Sequence, residues 1–313
     1  MRGPATSGAP NGGSAPAIVT RELAKRYGQI QALAGLSMTI PRGVVFGFLG
    51  PNGAGKTTAV KLLLGLSQPT AGSGEILGHP IGGRESRRRV GYLPELFRYQ
   101  GWLTAREVLA LHCELAGIDR AAWSREIENA LAVVGLTDRG SSRVATFSKG
   151  MQQRLGLGVA LLGDPELVLL DEPTSALDPV GRHDVREILR TLRERGVTVF
   201  LNSHLLSEVE QVCDRVIVLD HGKVIADGTL DELLRADTVR VRVTDLPREA
   251  RQGLAAFGAV DDEGEWLVVR GVDKERVPAL VAAIVRAGGN VHAVEPKHES
   301  LEDRFLSLLG GGA

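Results

Sequence analysis

The chain has 313 residues, of which 43% are hydrophobic and 24% charged, with a formal net charge of −1. That composition excludes disorder over the whole length, and the near-neutral charge excludes a general affinity for nucleic acid or anionic lipid, so no nucleic-acid partner is expected. No stretch approaches the roughly 18 to 20 apolar residues that a membrane helix needs, and two cysteines, Cys113 and Cys213, are too few for a disulfide framework.

Residues 1–17 are rich in Gly, Pro, Ala and Ser. They lack the apolar centre of about 7 to 15 residues that a signal peptide carries, so a disordered tail is expected. Val44 to Leu49 is a short apolar run ending at a Gly-rich turn, which predicts a buried strand. Thr57 to Leu66 predicts a helix, closed by Gly65 and Pro69. The stretch from about 97 to 145 is helix-like, and Thr104 and Glu107 have the spacing of a capping box. Leu167 to Leu170, Val197 to Leu201 and Val216 to Leu219 predict three further strands, with a helical pattern over Arg182 to Arg195. Strands alternating with helices imply an α/β fold with a parallel sheet.

The pattern changes near Ala236. Val239, Val241 and Val243 alternate with Arg240, Arg242 and Thr244, as in a half-buried strand. Trp266 to Val269 and Asn290 to Val294 are further strand candidates, separated by helical patterns at 247–257 and 274–287. The predicted organisation is a tail over 1–17, a main domain over 18–236 and a small α/β domain over 237–313.

Gly50-Pro51-Asn52-Gly53-Ala54-Gly55-Lys56-Thr57 fits the pattern G-x-x-x-x-G-K-[ST], followed by Thr58. Glycines let the backbone approach phosphate closely and turn successive N–H groups inward. The helix that follows adds the positive end of its dipole. Lys56 is placed for the β- and γ-phosphates and Thr57 for Mg²⁺. Lysine is scarce here, with seven among 37 basic residues, and the predicted strand before and helix after complete the context. A second constellation is Leu167-Val168-Leu169-Leu170-Asp171-Glu172, an apolar strand ending in two carboxylates. Ligands of α/β sheets bind at the carboxyl ends of strands. There Asp171 is placed to hold Mg²⁺, and Glu172 to orient or deprotonate a water attacking the γ-phosphate.

With Phe147-Ser148-Lys149-Gly150-Met151-Gln152-Gln153-Arg154 added, residues 18–235 resemble the ATP-binding subunit of an ABC transporter. The segment resembles the family's signature loop, usually Leu-Ser-Gly-Gly-Gln. Ser148 and Gly150 are kept, while Lys149 and Met151 depart from it. Read alone, Ser148 is a plain helix N-cap. The resemblance implies that Ser148, Lys149, Gly150 and Met151 act on the γ-phosphate bound by the opposite subunit. Ser175-Ala176-Leu177-Asp178 resembles the loop that passes between subunits, placing Asp178 there. His204, after the third strand, lies where the family contacts the γ-phosphate and assists the catalytic glutamate. Tyr27 lies where an aromatic ring stacks on adenine. Gly91-Tyr92-Leu93-Pro94-Glu95 occupies the site of a loop whose usual glutamine is replaced by Glu95. That carboxylate can still meet Mg²⁺ or its waters.

The resemblance implies a P-loop NTPase fold of ABC type, with a RecA-like core sheet, an antiparallel β subdomain and a helical subdomain. It implies ATP and Mg²⁺ as cofactors, catalysis by Glu172 and His204, and a homodimer or a pair with a paralogous subunit. A separate transmembrane permease would hold the chain at the cytoplasmic side of the membrane. Phe97, Arg98, Tyr99 and Trp102 are candidates for receiving a helix of that permease. Glu95, the Lys-Gly-Met run and Glu299 to Leu306 resemble the branch with ABC-2-type permeases, which points to export. A soluble ABC ATPase without transport and a nucleotide-dependent regulator are the competing readings.

Overall fold

A computed structural model describes residues 15–175, 177–234, 238–297, 301–302 and 304–305. The tail expected over 1–17 therefore lies outside the described residues as far as residue 14. So do Ala176 and part of the Glu299 to Leu306 segment.

The chain opens with two long strands, β1 (Ile18–Tyr27) and β2 (Ile30–Ile40), followed by β3 (Val45–Leu49) and helix α1 (Lys56–Leu63). Short strands β4 (Ala71–Ile76) and β5 (His79–Pro80) precede β6 (Val90–Leu93). A helical stretch follows, with α2 (Ala105–Leu115), α3 (Trp123–Val133) and α4 (Lys149–Ala160). The Thr104 side chain accepts from the Glu107 N–H and Glu107 accepts from the Thr104 N–H, so the predicted capping box closes the start of α2. Next come β7 (Leu167–Asp171), α5 (Pro179–Glu194), β8 (Thr198–Asn202), α6 (Leu206–Val212), β9 (Arg215–Asp220) and β10 (Lys223–Thr229).

Six strands form a sheet in the order β10-β9-β3-β8-β7-β6, with β9, β3, β8, β7 and β6 joined by parallel pairs. A second, antiparallel sheet has the order β2-β1-β4-β5. Every residue of β3, β7 and β8 is buried, which is why these strands read as continuous apolar runs. One core joins both sheets through α1: Phe46, Phe48 and Phe200 pack with Leu62 and Leu63 and with Ile18, Leu36 and Ile40. Cys113 and Cys213 are free and buried. Among the described residues, no helix is long and apolar enough to cross a membrane.

The chain divides into two compact units between Asp227 and Gly228. The predicted boundary at 236/237 falls on residues outside the described set. The second unit holds α7 (Leu230–Leu233), β11 (Thr238–Thr244), α8 (Arg248–Gly253), β12 (Ala259–Glu263), β13 (Trp266–Arg270), α9 (Val277–Arg286) and β14 (Asn290–Lys297). From β11 onward the order is β-α-β-β-α-β, and the antiparallel sheet runs β12-β13-β11-β14. This is the ferredoxin-like arrangement. Its own core gathers Val239, Val241, Leu267 and Val269 from the sheet with Leu254, Leu280 and Ile284.

Candidate functional site

Parallel strands put their carboxyl ends along one edge, and three of the predicted groups meet there. The Gly50 to Thr57 loop leaves β3, Asp171 ends β7, and the chain after β8 leads to His204. The loop depends on glycine at both ends. Gly50 has φ +155°, and a Cβ there would lie 2.4 Å from the Leu219 carbonyl oxygen. Gly55 has φ +106°, and its Cβ would lie 2.3 Å from the Ala32 carbonyl oxygen. Side chains at either place would push the loop off the sheet. Lys56 is buried, and its ammonium donates to the carbonyls of Gly50 at 2.7 Å and Pro51 at 3.2 Å. Thr57 and Thr58 stand in the first turn of α1, with Thr57 exposed. The helix N-terminus and its free N–H groups thus face the loop.

Asp171 and Glu172 are both buried. Asp171 accepts from the Asn202 side-chain amide. Glu172 accepts from or donates to His204 across 2.7 Å between Oε2 and Nδ1. Its backbone is left-handed, with φ +53°, an uncommon state for a residue with a Cβ. Two contacts hold it there: the Glu172 N–H donates to the Asn202 carbonyl at 2.9 Å, and the Ser175 hydroxyl donates to the Glu172 carbonyl at 3.2 Å. In this conformation the carboxylate meets the histidine.

Burial governs the electrostatics. It pushes the Asp171 and Glu172 carboxyls above their ordinary range, opposed by hydrogen bonds from Asn202 and His204 respectively. Burial likewise lowers the Lys56 ammonium, opposed by the charges of Glu172, Asp171 and Glu95. Glu95 is exposed, yet its charge reaches Lys56, Asp171 and Tyr92, so it belongs to the same neighbourhood. A buried ammonium beside three carboxylates, with hydroxyl and N–H donors adjacent, suits a polyanion carrying a hard cation.

The other predicted residues gather elsewhere. Ser148 caps α4, its hydroxyl accepting from the Met151 N–H at 3.2 Å. With Lys149, Gly150 and Met151 it lines one cleft that Leu177 and Asp178 complete. Asp178 caps α5 through the Gly181 N–H at 2.8 Å, ahead of Pro179 in the first turn. None of the Gly50 to Thr58 residues lines that cleft. Tyr27 is 46% exposed, with the Lys25 ammonium 4.9 Å from its ring centroid. Leu96 and Trp102 are 88% and 73% exposed beside the Phe97–Tyr99 ring pair.

One residue at the site was missed by the sequence reading. Asn202 is 2% exposed and directly opposite Asp171 in the β7–β8 register. Its signal was a lone amide closing the otherwise apolar run Val199-Phe200-Leu201.

Comparison with known proteins gives a consistent picture. A family model described as ABC transporter matches residues 33–175. The chain is 36% identical, over 304 residues, to the bacitracin transport ATP-binding protein of Bacillus licheniformis, covering 94% of this chain and 98% of that one. It is 36% identical over 313 residues to the Nod factor export ATP-binding protein I of Ralstonia nicotianae, covering 96% of each. A solved structure described as the ATP binding subunit of an ABC transporter matches at 33% identity and a TM-score of 0.63, over 70% of this chain and 92% of that chain.

Proposed function

The chain belongs to the ABC transporter family as an ATP-binding subunit, an ATPase whose hydrolysis is coupled to transport, and from that premise we propose that it drives export through a separate membrane permease by ATP-dependent closure of a dimer. The observation that carries the reading is the Glu172–His204 contact, held by a left-handed backbone at the sheet edge where the Gly50 to Thr57 loop also ends.

In the proposed cycle the loop from Gly50 to Gly55 wraps the phosphates with its N–H groups. Pro51, Asn52, Gly53 and Ala54 form its body. Lys56 gives up its carbonyl partners for the β- and γ-phosphate oxygens, and Tyr27 offers its ring to adenine. Thr57, Asp171 and Glu95 provide hard oxygen ligands, which fits Mg²⁺; the bound ion would offset charge on the β- and γ-phosphates. Glu172 takes the proton of the attacking water, and burial, by raising its carboxyl, makes it a stronger base for that task. His204 holds Glu172 in place and donates to the γ-phosphate. Ser148, Lys149, Gly150 and Met151 close over the nucleotide of the partner subunit, with Asp178 between the two. Hydrolysis and phosphate release then reopen the pair.

Export is favoured because two similar proteins are named for bacitracin transport and Nod factor export. The exposed Leu96 and Trp102, flanking in sequence the tilted Phe97–Tyr99 ring pair, suit a helix of the permease. Such a partner would keep the subunit at the cytoplasmic face of the membrane. The C-terminal domain has its own core and holds none of these site residues, which suits an accessory role in dimer support or regulation.

The test is Glu172→Gln. ATP binding should persist while turnover falls by about 10²- to 10⁴-fold, the usual contribution of a general base. Hydrolysis near the native rate, with the permease present, would overturn the assignment.

A further inference from the structure

We infer that Asn202 is a positioning residue for the cation site, its amide selecting which oxygen of Asp171 is presented there. The inference rests on the nucleotide-site reading above. Asn202 ends β8, opposite Asp171 of β7 and Phe48 of β3, so it sits between the acidic strand end and the strand that feeds the phosphate loop. Its Nδ2 donates to Asp171 Oδ1. Its backbone carbonyl accepts the Glu172 N–H at 2.9 Å. One residue therefore fixes both acidic positions, the Asp171 carboxylate by its side chain and the Glu172 backbone by its main chain.

The amide is costly where it lies. Asn202 is 2% exposed, and its Oδ1 has no hydrogen-bond partner. Burying an unpartnered amide oxygen is unfavourable, and an apolar side chain, like those of Val199, Phe200 and Leu201 before it, would avoid the cost. Turning the amide over would set its oxygen against the Asp171 carboxylate, oxygen against oxygen. The orphaned atom is therefore the consequence of aiming the donor at Asp171. With Oδ1 engaged, Oδ2 of Asp171 is left to face a cation. Partners that fix a metal-binding carboxylate from behind typically govern metal affinity by about 10- to 100-fold.

The experiment follows Mn²⁺ binding by electron paramagnetic resonance on the full chain with a non-hydrolysable ATP analogue. Binding of the same analogue in excess chelator is measured beside it. Asn202→Leu should weaken Mn²⁺ by about tenfold or more while metal-free nucleotide affinity stays unchanged. Asn202→Ser, which keeps a donor, should fall between the native protein and Asn202→Leu. Equal Mn²⁺ affinity in native and Leu proteins would overturn the inference, as would a parallel loss of metal-free nucleotide affinity. Should Asn202→Leu not fold, as judged by its melting curve, the pair Asn202→Ser and Asn202→Ala decides, with the alanine variant expected to lose more Mn²⁺ affinity than the serine variant and equal losses overturning the inference. If the native chain bound no nucleotide at all, the functional reading would fall first. A native chain that binds nucleotide, with variants indifferent to Mn²⁺, would overturn the inference alone.

Discussion

Glu172 shows how burial and function compete at a single residue. Its carboxyl is pushed above the ordinary range, chiefly by burial. The folded chain then keeps a proton at a pH where the unfolded chain has released it. The group's contribution to stability is therefore complete below the ordinary carboxylate value and is lost as pH rises through the raised one. Glu172→Gln removes the charge at nearly constant shape. Its melting temperature should exceed the native one near pH 7 to 8, and the difference should vanish towards pH 4. A difference independent of pH would mean that shape, not charge, is responsible. At this scale the sequence was most informative where chemistry forces the residue type. Gly50 and Gly55 are needed because backbone carbonyls occupy the space of a Cβ, and Asp171 and Glu172 end an apolar strand. Asn202 was not legible, since its meaning lies in the register with β7, a contact between residues 31 apart.

Between elements, the pair of Arg186 and Glu208 ties α5 to α6. Arg186 Nη1 donates to both carboxylate oxygens, at 3.1 and 3.2 Å, and the side chains are 17% and 8% exposed. α5 starts at Asp178 and α6 lies just after His204, so the pair spans two helices that leave the candidate site. Arg186→Met should lower stability by about 3 kcal/mol, because a nearly buried carboxylate is left alone. Arg186→Met with Glu208→Leu should recover most of that loss, since apolar replacements of both partners are often neutral. Urea unfolding of the two variants checks this; equal losses would count against a coupled pair. Regular elements were well marked in the sequence, and irregular ones were not. β1 breaks the period of two with register shifts between Thr20 and Leu23 and again near Ala24 and Arg26, and Glu22 has φ +49°. β12 is mostly exposed and acidic, so it carries no apolar signal. The helix expected from Thr57 to Leu66 ends at Leu63, since Gly65 takes a positive φ that turns the chain out of the helix.

At the scale of the molecule, the predicted residues divide between two surfaces. The phosphate loop, Asp171, Glu172 and His204 gather at the sheet edge, while Ser148 to Met151 share a separate cleft with Asp178. On the function proposed above, a single copy offers half of two sites, which is the physical reason for expecting dimer closure on ATP. In the Glu172→Gln background, ATP should convert monomer to dimer in size-exclusion chromatography, and adding Ser148→Arg should abolish the shift while leaving nucleotide binding intact. A normal ATP-driven dimer in that double variant would sink the role given to the loop. The family fold was legible because several ordered motifs fix it together. The ferredoxin-like strand order of the second unit was not, because antiparallel neighbours such as β11 and β14 lie about fifty residues apart and leave no local pattern.

The burial of the two cysteines has a practical chemical consequence. Cys113 and Cys213 are 0% and 8% exposed, and burial raises the pKa of both thiols. Neither presents the thiolate that maleimides and iodoacetamides attack. The native chain is thus nearly blank to thiol reagents. A cysteine introduced at exposed Val180, beside the Ser148 cleft, or at Leu115 would take a spin or fluorescent label alone. Distances between two labelled copies would then report opening and closing directly, with no native residue to remove first.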